Sequence, residues 1–139
     1  VAAGWYTWID ETAPFPYGTA ASRSSGGRGV DIARFLCVPV HVLVGERDTQ
    51  RGRHLRTTRR VDVVQGPHRL ARGLRWADHL RSEALRRSLP SAVSTEVLPG
   101  TAHSFRQAMR RGELGPRIFG YLNGGGNAGD PVPRSTGGF

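Results

Sequence analysis

The chain of 139 residues contains no lysine: all 20 of its basic residues are arginine, against 11 acidic ones, for a formal net charge of +9. A nucleic-acid surface ordinarily mixes both cations. The uniform arginine therefore points to a GC-rich coding bias, and no specific nucleic-acid partner is expected. The charge still attracts polyanions without sequence preference at low salt. Cysteine is nearly absent too, and the single Cys37 excludes an internal disulfide and a cysteine-rich metal site. Beside the apolar run VPVHVLV it is expected to be a buried thiol, in keeping with a reducing, cytoplasmic setting. No apolar run approaches the ~20 residues that cross a bilayer. The longest, Val38 to Val44, is interrupted by Pro39 and His41, so no membrane partner is expected. The histidines are scattered, none at the i, i+4 spacing of a helical zinc motif, and neither metal nor cofactor is expected. The chain opens on Val1 with no charged segment leading into an apolar one, and it reads as a piece of something longer.

What is present alternates between two periodicities. Residues 1–9, VAAGWYTWI, are small, apolar and aromatic, and predict the end of a buried strand. Residues 10–29 are rich in Pro, Gly and Ser and predict an irregular excursion over the surface. Asp31 is placed to cap a short helix through Phe35, and Pro39 opens the next strand. In VPVHVLVG, Val38, Val40, Val42 and Val44 share one face and Leu43 takes the other, the pattern of a strand apolar on both sides. A polar loop, GERDTQRGR, follows, and the arginine-rich residues 51–66 give no clear element.

From Pro67, at the first turn, Leu70, Leu74, Ala77, Leu80, Ala84 and Leu85 fall on one face of a helix. Arg69, Arg72, Arg75 and Arg86 lie mostly opposite, and Arg81 breaks the pattern. Pro90 ends that helix before a second strand, SAVSTEVL, and the loop PGTAHS. Phe105, Ala108 and Met109, then Ile118, Phe119 and Leu122 beyond a break, predict a last helix with apolar contacts to a sheet. Residues 123–139 hold too little apolar content to pack and read as a disordered tail. The order strand, insertion, strand, helix, strand, helix specifies an α/β fold with a parallel sheet built through right-handed crossovers. Functional side chains then gather beyond the carboxyl ends of the strands.

Two residues stand at those stations: Asp48 after the Val40 strand and His103 after the next. Adjacent parallel strands lie ~5 Å apart, so the two side chains can meet. A carboxylate accepting the imidazole Nδ1 proton fixes the tautomer and leaves Nε2 free to take a proton from a nucleophile. By themselves they are also readable as a turn or capping aspartate and a solvated loop histidine.

VPVHVLVGERDT, followed one helix later by TEVLPGTAHSF, resembles the acid strand and histidine loop of the α/β-hydrolase fold, whose catalytic order is nucleophile, acid, histidine. More narrowly, AGWYTWID…PFPYG, LRTT and QGPHRLARG resemble a family of loosely characterised bacterial α/β hydrolases. The likeness runs over residues 1–122, in matching order. It implies the C-terminal part of an α/β-hydrolase domain, with residues 10–36 a cap-like insertion. Asp48 is then the triad acid and His103 the general base. Trp5, Tyr6 and Trp8 line the cleft for a small-molecule acyl substrate, or else pack core and cap. His68 and Arg69 bind an anion or hold their helix against the Asp48 loop.

The departure is the nucleophile. Gly-x-Ser-x-Gly is absent, as is the earlier loop that supplies an oxyanion hole, and Ser22, Ser24 and Ser25 stand in a stretch unsuited to a strained elbow. The chain alone is expected to be inactive as an esterase, with the missing N-terminal half or a homo-oligomer partner completing the sheet. Two other readings are an inactive truncated hydrolase relative serving as a binding module and an arginine-rich nucleic-acid-binding protein.

Overall fold

The computed structural model describes residues 4–21, 23 and 26–123. Their order is α1 (Ile32–Leu36), β1 (Val40–Gly45), α2 (Arg59–Gln65), α3 (Arg69–Arg86), β2 (Val93–Leu98), α4 (Phe105–Arg110) and α5 (Leu114–Leu122). The architecture is α/β, with a small parallel sheet flanked by helices. Among the described residues the sheet has two strands, in register from Val40↔Val93 to Gly45↔Leu98.

The alternation in β1 does what its pattern predicts. Val42 and Val44 are buried with Ala77 beneath α3, where Leu70, Leu74 and Trp76 pack against them. Leu43 turns to the other face and meets Leu98, Ala108 and Leu114. A further cluster of Ile9, Ile32, Leu36, Leu80 and Ala84 ties the N-terminal segment and α1 to the far end of α3. Helix and strand approach closely because residue 73 is glycine. A Cβ there would lie 2.5 Å from Val44 Cγ1, a separation that side chains do not tolerate. Asp31 caps α1 as its position predicts, accepting from the Arg34 amide at 3.0 Å.

Five expectations need correcting. Residues 4–9 form no strand: their backbone groups pair with side chains of the neighbouring helices rather than with a ladder. Tyr6 N donates to Gln65 Oε1 (3.0 Å), Tyr6 O accepts from Gln65 Nε2 (2.7 Å), and Thr7 O accepts from Trp76 Nε1 (3.0 Å). Cys37 and Val38 are exposed, because the chain leaves α1 at Cys37 and enters β1 only at Val40. Pro67 lies outside α3; His68 is its N-cap, with Nδ1 accepting from Ala71 N at 3.2 Å. On α3 itself Leu85 is 78% exposed whereas Arg69 and Arg72 are buried. The C-terminal region is two helices, and Phe105, Phe119 and Leu122 are exposed rather than packed on the sheet. Residues 51–66, unassigned by pattern, contain α2, capped by Thr58 Oγ1 on the Val61 amide. The expected disordered tail falls outside the described residues from 124 onward, as do Ser22, Ser24 and Ser25. No helix of the described residues is long and apolar enough to cross a membrane, and none of their His, Cys, Asp and Glu side chains cluster as a metal site.

Candidate active site

The parallel register delivers two loops to one sheet edge. The loop after β1 and the loop after β2 are stitched together: Glu46 N donates to Leu98 O (3.0 Å) and Arg47 N to Thr101 O (2.8 Å). From the other side, Glu46 Oε2 accepts from Gly100 N at 2.8 Å. Gly45 makes the crossing possible. A Cβ on it would stand 2.4 Å from Thr101 O, so any side chain at the strand's last residue would push the second loop away.

Within this frame Asp48 and His103 meet. His103 Nδ1 lies 2.9 Å from Asp48 Oδ2. Asp48 is only 2% exposed, whereas the His103 side chain is 43% exposed. A buried carboxylate holding Nδ1–H leaves the Nε2 lone pair as the accepting end of an accessible ring, and the carboxylate also stabilises the imidazolium formed when that lone pair takes a proton.

Each member is positioned from behind. The Asp48 carbonyl accepts from Leu70 N (3.2 Å), and Arg69 Nη1 approaches Asp48 Oδ1 at 3.8 Å. Arg69 thus holds α3 against the acid loop, one of the two roles expected of it, and His68 spends its ring on the helix cap. His103 precedes the N-cap of α4, where Ser104 Oγ accepts from Gln107 N (3.3 Å) and Gln107 Oε1 accepts from Ala102 N (3.0 Å). The Ser-x-x-Gln spacing is a capping-box signature visible in the sequence.

Arg72 carries no local signal of its role. It is 1% exposed and donates to Gly66 O (2.8 Å), Gly4 O (2.6 Å) and Arg56 O (2.8 Å), with Asp62 Oδ1 at 3.3 Å. Burial pulls its pKa down, opposed by the Asp62 carboxylate. Asp62, hydrogen-bonded by Arg51 and facing Arg72, is held below the usual carboxylate range.

The three aromatic residues are not equivalent. Tyr6 stacks on Trp76, ring centroids 5.0 Å apart, against α3. Trp5 and Trp8 line an open cavity of about 960 Å³ whose walls include Tyr17, Arg56, His79 and Glu83. Trp5 meets Tyr17 edge to face at 5.4 Å and carries the Arg56 guanidinium 5.8 Å from its ring centroid. Trp8 packs on His79 at 4.2 Å. Neither Asp48 nor His103 lines this cavity.

No protein-family model matches the chain, and no curated protein matches it. Among solved structures it is similar to poly(aspartic acid) hydrolase-1 from Sphingomonas sp. KT-1, at 28% identity and a TM-score of 0.63, over 84% of this chain and 40% of that one. It is equally similar to LpqC, a poly(3-hydroxybutyrate) depolymerase from Bordetella parapertussis, at 28% identity and a TM-score of 0.64, over 91% of this chain and 39% of that one. The chain therefore spans about two fifths of the length of these two enzymes, and its α/β architecture is shared with part of two polymer-degrading hydrolases.

Proposed function

We propose that Asp48 and His103 are the acid and the general base of a Ser-His-Asp hydrolase acting on a small-molecule ester. The serine and the oxyanion donors come from polypeptide other than these residues. The reading rests on the 2.9 Å contact between a buried carboxylate and an accessible imidazole at adjacent parallel strand ends. The likeness to two hydrolases supports it.

In this mechanism His103 Nε2 takes the serine proton as Oγ attacks the acyl carbon, and returns it to the departing alkoxide as the tetrahedral intermediate collapses. Water then repeats the sequence on the acyl-enzyme and restores the serine. Asp48 orients the ring. Trp5 and Trp8 contact the acyl substrate, and the described part of the 10–36 insertion serves as its cap. The exposed apolar side chains of α4 and α5 and the short sheet are the surface on which the N-terminal half, or a second copy, completes the fold.

The test is hydrolysis of a short-chain p-nitrophenyl ester by this chain and by a protein extended upstream, each beside its His103→Ala variant. Activity confined to the extended protein, and lost by about 10³-fold or more in His103→Ala, is the expected result. Extended-protein activity that survives His103→Ala would sink the assignment of the base, and silence in both lengths would favour a binding module without catalysis.

A further inference from the structure

The charges around the cavity beside Trp5 are unevenly matched. Arg86 is spent on Glu83 (2.6 Å), and Arg87 Nη2 sits 3.4 Å from Glu11 and 3.5 Å from Glu83. Asp10 is turned onto its own loop, accepting from Thr12 N (2.9 Å) and Thr12 Oγ1 (2.6 Å), which draws its pKa down. That accounts for the three carboxylates among the lining residues and for two of the four guanidinium groups. Arg56 and Arg60 remain, and neither has a carboxylate partner among the described residues. Arg56 is further held between rings, 5.8 Å from the Trp5 centroid and 3.4 Å from Tyr17 Oη.

We propose that the part of the cavity lined by Arg56, Trp5 and Tyr17, with Arg60, is a subsite for a carboxylate on a flat, apolar body, so that the ligand is a monoanionic aryl or conjugated carboxylate. A guanidinium matches a planar carboxylate in two parallel hydrogen bonds, which an ammonium does not. The edge-to-face Trp5 and Tyr17 pair offers the body of such a ligand an aromatic wall. The cavity, at about 960 Å³, is of the size that takes small ligands. Asp10, Glu11 and Glu83, which also line the cavity, disfavour a polyanion, whose further charges would meet them. The inference deepens the reading of Trp5 and Trp8 as substrate contacts and rests on it. The two regions share one scaffold: Arg72 binds the carbonyls of both Gly4 and Arg56, and Arg69, beside Gly4, pairs with Asp48 at 3.8 Å.

The experiment is titration of the full chain with benzoate and with benzamide, its neutral counterpart of nearly the same shape, followed by tryptophan fluorescence and by calorimetry. Benzoate is expected to bind at least about tenfold more tightly. Arg56→Gln with Arg60→Gln should abolish that preference, and Arg53→Gln with Arg59→Gln, which removes the same charge outside the cavity, should keep it. Equal binding of the two ligands overturns the proposal. So does a preference that survives the cavity variant or disappears equally in the outer one. The ester assay reads the neighbouring dyad separately: benzoate preference without His103-dependent hydrolysis upholds this subsite and removes the hydrolase reading, and hydrolysis without benzoate preference removes only the subsite.

Discussion

Asp48 and His103 are brought together by the residues that tie the loop after β1 to the loop after β2. Gly45 is the clearest of them, because the space its missing side chain leaves is occupied by the Thr101 carbonyl. Gly45→Ala should therefore cost about 1–3 kcal/mol of stability, as overpacked sites do, and move the His103 loop off Asp48. Denaturant unfolding combined with the His103 imidazole NMR shifts checks both effects. Unchanged stability and unchanged shifts would show that the loop has room to spare. The same positions show what was readable beforehand. The stations of Asp48 and His103 after successive strands can be read from the pattern, while their roles as acid and base come only with the resemblance. Gly45, Glu46 and Gln107 look like ordinary turn and helix residues, since their roles depend on backbone atoms some fifty residues away or on a cap judged only once the helix is seen.

The segment at residues 4–9 shows an element decided by its neighbours. Its aromatic, apolar composition suits a strand, but no adjacent strand is present among the described residues, and its amides and carbonyls are taken by Gln65, Trp76 and His79 instead. His79 Nε2 accepts from Ile9 N at 3.0 Å, which requires a neutral ring, and burial lowers its pKa below the usual 6.5. His41, half-buried between Ser94 and Tyr121, is lowered for the same reason. In both cases the folded state binds fewer protons than the unfolded state just below the ordinary pKa. Stability is then fully present above about pH 6.5, declines as the pH falls below it, and levels off beneath the lowered folded-state values. Thermal unfolding midpoints measured from pH 7.5 to 5 should fall, and fall less in His79→Gln, which keeps an acceptor for Ile9 N without the titration. A His79→Gln profile parallel to that of the parent would show that His79 contributes nothing to the decline.

At the scale of the molecule, the two strands and five helices of the described residues leave apolar surface uncovered. Phe105, Met109, Phe119 and Leu122 are exposed on α4 and α5, with Phe119 at 64% and Leu122 at 70%. Exposed apolar side chains of this kind drive association, and a strand edge unpaired among the described residues adds to it. The isolated chain should sediment as concentration-dependent oligomers, and Phe119→Glu with Leu122→Glu should shift it toward monomer. A parent that stays monomeric at high concentration would mean that these side chains are covered within the chain itself. The +9 charge works in the opposite sense, since mutual repulsion of arginine-rich surfaces keeps molecules apart at low salt, so the association should strengthen as salt is added.

What could be read from local pattern was the α/β class, the two strands, the long helix between them, the Asp31 cap, and the placing of an acid and a histidine on one sheet edge. These follow from periodicity and from the handedness of crossovers, which act over a few residues or a single connection. What could not be read was the fate of groups whose partners are distant. Arg72 looks like a solvated helix cation, yet it is buried because the carbonyls of Gly4, Arg56 and Gly66 converge on it. Leu85 is left outside while its neighbour Ala84 packs with Ile9, Ile32 and Leu36, because one residue along a helix turns the side chain about 100° round the axis. A side chain's surroundings are set by which backbone groups need satisfying in three dimensions, and a one-dimensional pattern carries no record of that.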